Sequence, residues 1–115
     1  MKGWRLSVFE DRDLGERVVR ADREGFPAVW HCRRRGLAEK FALVGVDYGS
    51  IHQRWRLAGE RSWRQDPAGV AHFLEHQLFE GVEANAFEFF SDLGASANAY
   101  TDFTETAYHV ECVDR

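Results

Sequence analysis

Polar and apolar positions alternate most clearly near the end of the chain. From Thr106 to Val113 one parity holds Thr106, Tyr108, Val110 and Cys112, and the other Ala107, His109, Glu111 and Val113. A period of two predicts a strand. Ala95 to Phe103 alternates as well, with Ala95, Ala97 and Ala99 on one face and Ser96, Asn98 and Tyr100 on the other. Asp102–Glu105 separates these segments as a turn, so they are expected to form an antiparallel pair. Earlier in the chain, Phe41 to Tyr48 is nearly continuously apolar, which suits a central strand. Ala28 to Cys32 reads as the strand before it. Trp4, Leu6 and Val8 alternate over a short stretch, whereas Asp13 to Arg23 is compatible with either a polar helix or a strand around Val18 and Val19. Ile51 to Gln65 reads as a loop.

The pattern changes to a helical one after Asp66. Asp66-Pro67 suits a helix start, with Asp as N-cap and Pro in the first turn, and Gly81 suits its end. Glu83 to Leu93 predicts a second helix, its buried stripe formed by Ala86, Phe87, Phe90 and Leu93 and broadened by Phe89, with Gly94 closing it. The expected fold class is therefore α+β: an antiparallel sheet with two helices on one face.

The first helix carries the chemistry. At 100° per residue, His76 lies about 40° from His72, and Glu75 about 60° to the other side. Phe79 falls close to His72. Val70, Phe73, Leu74 and Leu78 occupy the opposite arc and are expected to face the core. Two imidazoles at i, i+4 can bind one Zn²⁺, and a carboxylate beside them can serve as general base to a water. His72 and His76 are thus candidate metal ligands and Glu75 the candidate catalytic base. Such a pattern also arises as a solvated helix face, so the five residues alone do not decide the matter.

Their surroundings do more. G-V-A-H-F-L-E-H-Q-L-F-E-G, S-D-L-G-A-S-A-N-A-Y-T, T-A-Y-H-V and D-Y-G-S-I occur in order along the chain. Together they resemble the pitrilysin/insulinase (M16) family of zinc peptidases, and most closely its bacterial cytoplasmic processing-protease-like branch. The resemblance runs from about residue 24 to 113. It implies a processing-peptidase-like (LuxS/MPP-like) metallohydrolase fold, Zn²⁺ as cofactor and peptide-bond hydrolysis through an inverted H-x-x-E-H motif. It also implies that Ala28–Cys32 and Phe41–Tyr48 pair at the start of the sheet under the motif helix. By the same resemblance Asn98, Ala99 and Tyr100 lie on an edge strand that takes peptide substrate as an added antiparallel strand. The family's third zinc ligand is a glutamate on a later helix, beyond the last residue of this sequence. The chain is accordingly expected to be a single, incomplete N-terminal peptidase domain that needs a complementary segment, a partner subunit or self-association. The alternative is a non-catalytic peptide-binding or assembly subunit.

Composition narrows the remaining classes. The chain has 115 residues, 44% of them hydrophobic, with nine Phe and four Trp, enough for a packed core. A net charge of −4 argues against nucleic acid as the main partner. No apolar run suits a membrane span. Cys32 and Cys112 are expected as two buried thiols in a reducing cytoplasm, the expected location. Arg33–Arg35 is expected to be the solvated end of a hairpin. His52 is expected to be a loop residue, and His109 a hydrogen-bonded sheet residue, neither of them a ligand.

Overall fold

The computed structural model describes residues 3–79 and 85–113. Two compact units divide the chain, Met1–Leu37 and Ala38–Arg115.

The first unit is a three-stranded antiparallel sheet, β1 (Arg5–Asp11), β2 (Glu16–Asp22) and β3 (Val29–Cys32), in that order. The Asp11 carboxylate caps the first turn by accepting from the amides of Asp13 and Leu14, and Gly15 completes it at φ +64°. Within Asp13–Arg23, Glu16–Asp22 is thereby resolved as strand. Val18 and Val19 pair with Phe9 and Val8 on one side and with Cys32 and His31 on the other. Among the described residues β3 pairs with β2, so the expected pairing of Ala28–Cys32 with Phe41–Tyr48 is not made. Local alternation identifies a strand without identifying its partner.

The second unit carries the two helices. Its main sheet has the order β4 (Glu39–Val46), β8 (Thr106–Val113), β7 (Ala95–Thr101), all antiparallel. Between β4 and the helices runs a small hairpin, β5 (Arg54–Trp55) and β6 (Arg64–Gln65), where a loop was expected. Arginine faces stack on its indoles, Arg54 and Arg56 on Trp63 and Arg64 on Trp55, and each such contact stabilises the hairpin modestly. Helices α1 (Val70–Phe79) and α2 (Ala86–Asp92) follow, and both lie against β7. The fold is thus α+β, as expected. β8, rather than β4, is the central strand among the described elements; β4 and β7 form the edges.

Three local details depart from the sequence reading. Helix α1 begins at Val70, not at Asp66. The Asp66 carboxylate instead accepts hydrogen bonds from the Tyr48 hydroxyl (2.7 Å) and the Trp55 indole (2.6 Å). That bond, with burial and the carboxylate's charge behind it, raises the Tyr48 pKa to about 12. Asn85 caps α2 by accepting from the Phe87 amide, and Gly94 (φ +74°) ends it. The expected Glu83 and Ala84 of that helix, and Gly81, lie outside the described residues. Of the expected α2 stripe, Ala86 and Phe90 are half-buried, whereas Phe87, which stacks on Phe79 at 4.4 Å, is exposed, as are Leu93 and Phe89.

The segment Tyr48–Ile51 is fastened to the β7–β8 turn. Ser50 and Ile51 donate backbone bonds to the Asp102 and Phe103 carbonyls, and the Thr106 hydroxyl donates to the Tyr48 carbonyl at 2.7 Å. Gly49 is buried in this junction. A Cβ there would meet the Asp102 carbonyl oxygen and the Glu105 nitrogen, each at 2.5 Å. D-Y-G-S-I therefore needs glycine for close backbone approach.

The core is thin. Among the described residues only Ala71, Phe79 and Ala107 are buried apolar side chains, joined by Glu75 and Thr106. Cys112 is half-buried, and Cys32 is exposed instead of buried.

Candidate metal centre

Helix α1 turns an unexpected side to the sheet. Its buried residues are Ala71, Glu75 and Phe79, one row at i, i+4, i+8. The arc expected to face the core points outward, with Phe73 60% and Leu78 65% exposed. Phe79 anchors the helix, stacking on Phe87 and, at 5.5 Å, on Tyr108 of β8. Glu75 lies at the centre of the buried row and His72 and His76 at its rim. A carboxylate would not face a sheet of small residues unless it were bound there.

Thr101 binds it. Its hydroxyl donates to Glu75 Oε2 at 2.7 Å, and Glu75 is 9% exposed. Thr101 has the same parity as Ala95, Ala97 and Ala99, the half-buried face of β7. Extending that alternation by one step places it under the helix, but a strand threonine carries no other sign of such a role. The small alanines let α1 approach closely, and the threonine ends the row with a donor. Oε1 of Glu75 has no hydrogen bond among the described residues. Nearby Tyr108 has its pKa raised, by burial first and by the Glu75 charge second. Thr101→Val keeps the shape and removes the donor, so the buried carboxylate loses its partner. The expected cost is about 1–3 kcal/mol of folding stability, and Thr101→Ser should recover most of it. Chemical denaturation of the three proteins measures this, and equal midpoints would refute the assigned bond.

The two imidazoles converge. His72 Nε2 and His76 Nε2 are 3.1 Å apart, and the ring centroids 4.7 Å. Two nitrogens bound at zinc distances in tetrahedral geometry are about 3.3 Å apart, so the pair fits one zinc ion with little movement. His72 Nδ1 is 3.5 Å from Glu75 Oε2. The potential ligand atoms of His72, Glu75 and His76 lie within 4.8 Å of one another, and this is the one such group among the described residues.

Asn98, Ala99 and Tyr100 precede Thr101 on β7, beside the helix and on a sheet edge. The Ala99 amide donates to Asn98 Oδ1 at 2.9 Å, so a side chain occupies an amide that an added strand would need. Asn98 and Tyr100 are exposed on the face opposite the helices. The Tyr100 hydroxyl donates to Glu105 at 3.0 Å, and that bond raises the Tyr100 pKa. His52 lies in the Tyr48–Gln53 loop and accepts the Gly49 amide at Nδ1. The His109 ring lies tilted against Phe41 at 5.4 Å, but its Nδ1 is buried without a hydrogen-bond partner among the described residues, contrary to the satisfied residue expected.

Comparison with known proteins agrees with this architecture. Residues 42–115 match the sequence profile of the insulinase family, peptidase family M16. The chain is 45% identical over 80 residues to an uncharacterised zinc protease of Bacillus subtilis, YmfH, covering 70% of this chain and 19% of that protein. It is 35% identical over 82 residues to a probable mitochondrial-processing peptidase subunit beta of Arabidopsis thaliana, covering 68% of this chain and 14% of that protein. The crystal structure of an M16-like peptidase from Alicyclobacillus acidocaldarius superposes with a TM-score of 0.71 at 29% identity, over 97% of this chain and 23% of that one.

Proposed function

The chain belongs to the insulinase (M16) family of peptidases, and from that premise we propose that it supplies the zinc-binding helix and substrate edge of a metalloendopeptidase. The observation that carries this reading is the 3.1 Å convergence of the His72 and His76 Nε2 atoms beside a buried carboxylate. In it His72 and His76 are the protein ligands contributed by this chain. A bound zinc ion would polarise the scissile carbonyl and acidify a water molecule. Glu75 is the proton acceptor for the attacking water and the donor to the leaving amine. Thr101 holds Oε2 of that carboxylate and leaves Oε1 for the proton.

The experiment is metal content. Protein equilibrated with added zinc should take up about one zinc per chain, and His72→Ala or His76→Ala should lower the uptake severely. With two imidazoles as the only protein ligands, affinity should be weaker than at a complete structural site. Equal zinc in parent and both variants would reject the site.

Substrate enters this reading at the free edge of β7. An extended peptide pairing there would displace the Asn98 carboxamide from the Ala99 amide and place its backbone beside the zinc-binding helix. Titrating an unlabelled peptide into isotope-labelled protein should shift the Asn98, Ala99 and Tyr100 amides; shifts confined to other elements would remove this edge from the proposal. Further ligands and a covering half come from another polypeptide segment, from a partner subunit or from a second copy. Two observations support that need. The chain spans less than a quarter of each relative's length, and large apolar side chains of α1 are exposed.

A further inference from the structure

The first unit holds a concave surface that the peptidase reading does not use. The β1–β2 turn, the start of β2 and the segment after β3 enclose an open cleft of about 810 Å³. Arg17, Arg33, Arg34, Arg35 and His31 line it. Val19 and His31 are register partners. Arg17 lies one pleat repeat before Val19 and Arg33 one repeat after His31, so cations converge from both strands. Two carboxylates answer them: Glu10 pairs with Arg17 at 3.5 Å, and Glu16 pairs with Arg34. Arg33 and Arg35 are exposed and have no carboxylate partner among the described residues. The Arg33–Arg35 run therefore lines a cleft rather than serving only as the solvated end of a hairpin.

Charge sets this unit apart from the rest. Residues 1–37 carry nine Lys or Arg against six Asp or Glu, a balance of +3, whereas the whole chain carries −4. Like charges gathered in a concavity repel one another, and their focused field attracts anions. Guanidinium forks match carboxylates in bidentate geometry. Leu14, Val19 and Leu37 add apolar lining, which favours an occupant with apolar groups between its acids over a bare polyanion. No Phe, Tyr or Trp lines the cleft, so the stacking platform of a single-strand nucleic-acid site is missing.

We propose that this cleft binds acidic peptide segments. The site is independent of the metal centre, so its test is run in chelator, where failure of the zinc reading changes nothing. The probe is a fluorescein-labelled decapeptide of Glu alternating with Leu and Ala, followed by anisotropy against the full chain. A Gln-for-Glu peptide and a labelled oligothymidylate are the comparisons. The acidic peptide should bind, weaken as salt rises, and exceed the Gln peptide by about tenfold or more. Arg33→Ser/Arg35→Ser should lower its affinity by about tenfold. Both residues are exposed and have no carboxylate partner among the described residues, so the variant should keep the parent's melting curve. Should it misfold, Arg35→Ser alone is measured, with a smaller loss expected. Equal affinity for the Glu and Gln peptides, unchanged binding by the variants, or tighter binding of the oligonucleotide would each overturn the proposal.

Discussion

Glu75→Gln is expected to abolish peptide hydrolysis, and the parent 115-residue chain is expected to hydrolyse nothing measurable until a second polypeptide completes its site. Both outcomes follow from what His72, Glu75 and His76 provide. Two imidazoles converge on one position, and among the described residues only Glu75 joins them. If Glu75 serves as base, the metal has two protein ligands where catalytic zinc sites have three. A metal held that loosely neither orients its water nor lowers its pKa reliably. Nor does any described element close over β7 to hold peptide near the attacking water. Adding a polypeptide with a further carboxylate ligand and a covering half should therefore bring activity from background to a chelator-sensitive rate. In that reconstituted state Glu75→Gln should lower turnover by about 10²–10⁴-fold, the usual contribution of a positioned base. The amide can still accept the Thr101 bond through oxygen, so folding should survive and the loss will report chemistry. A quenched-fluorescent peptide library, with zinc and with chelator, measures both. Chelator-sensitive turnover by the chain alone, undiminished in Glu75→Gln, would overturn the assignment of ligands and base together.

The largest stability effect is expected at Gly49. A Cβ there would come within 2.6 Å of three backbone atoms of the β7–β8 turn. Backbone cannot swing aside as a side chain can, so the turn or the Tyr48–Ile51 segment must move. Movement strains the bonds from Ser50 and Ile51 to the turn, and the Thr106–Tyr48 bond with them. Gly49→Ala should cost about 3 kcal/mol or more, at or beyond the upper end for overpacking, and lower the thermal midpoint by more than about 10 °C. Gly45→Ala is the control, because its Cβ would meet nothing closer than Leu43 Cδ2 at 3.8 Å. Matching melting curves for the two variants would contradict the junction.

The elements that sequence revealed are those decided by near neighbours. Alternation placed β7 and β8 with the right faces, and the Asp102–Glu105 turn gave their pairing. The i, i+4 spacing of His72 and His76 forced their convergence whatever surrounded the helix. What sequence concealed depended on distant partners. Asp66 before Pro67 reads as a helix cap, yet Tyr48 and Trp55 claim its carboxylate, and nothing local announces them. The outward arc of α1 misled for a similar reason. An apolar stripe normally faces the core of its own unit, but here the Glu75–Thr101 bond and Phe79 set the rotation of the helix. Strand β3 was recognised by composition and lost its partner for want of any local signal of pairing. Thr101 was one step beyond a pattern already noted.

The junction at Tyr48 also orders events in time. Thr106 and Tyr48 are 58 residues apart in sequence, and β4 pairs with β8 across a similar span. Contacts of such separation bear the loop-closure entropy before they yield any stabilisation, so they form late and slowly. The imidazole pair needs only one helical turn, whereas Glu75 acquires its Thr101 partner only when β7 is in place. In the zinc reading proposed above, the imidazole pair would therefore be available to metal before Glu75 acquires its Thr101 partner. If His72, His76 and Glu75 act as proposed, sheet closure would limit completion of the site, with metal uptake the earlier step.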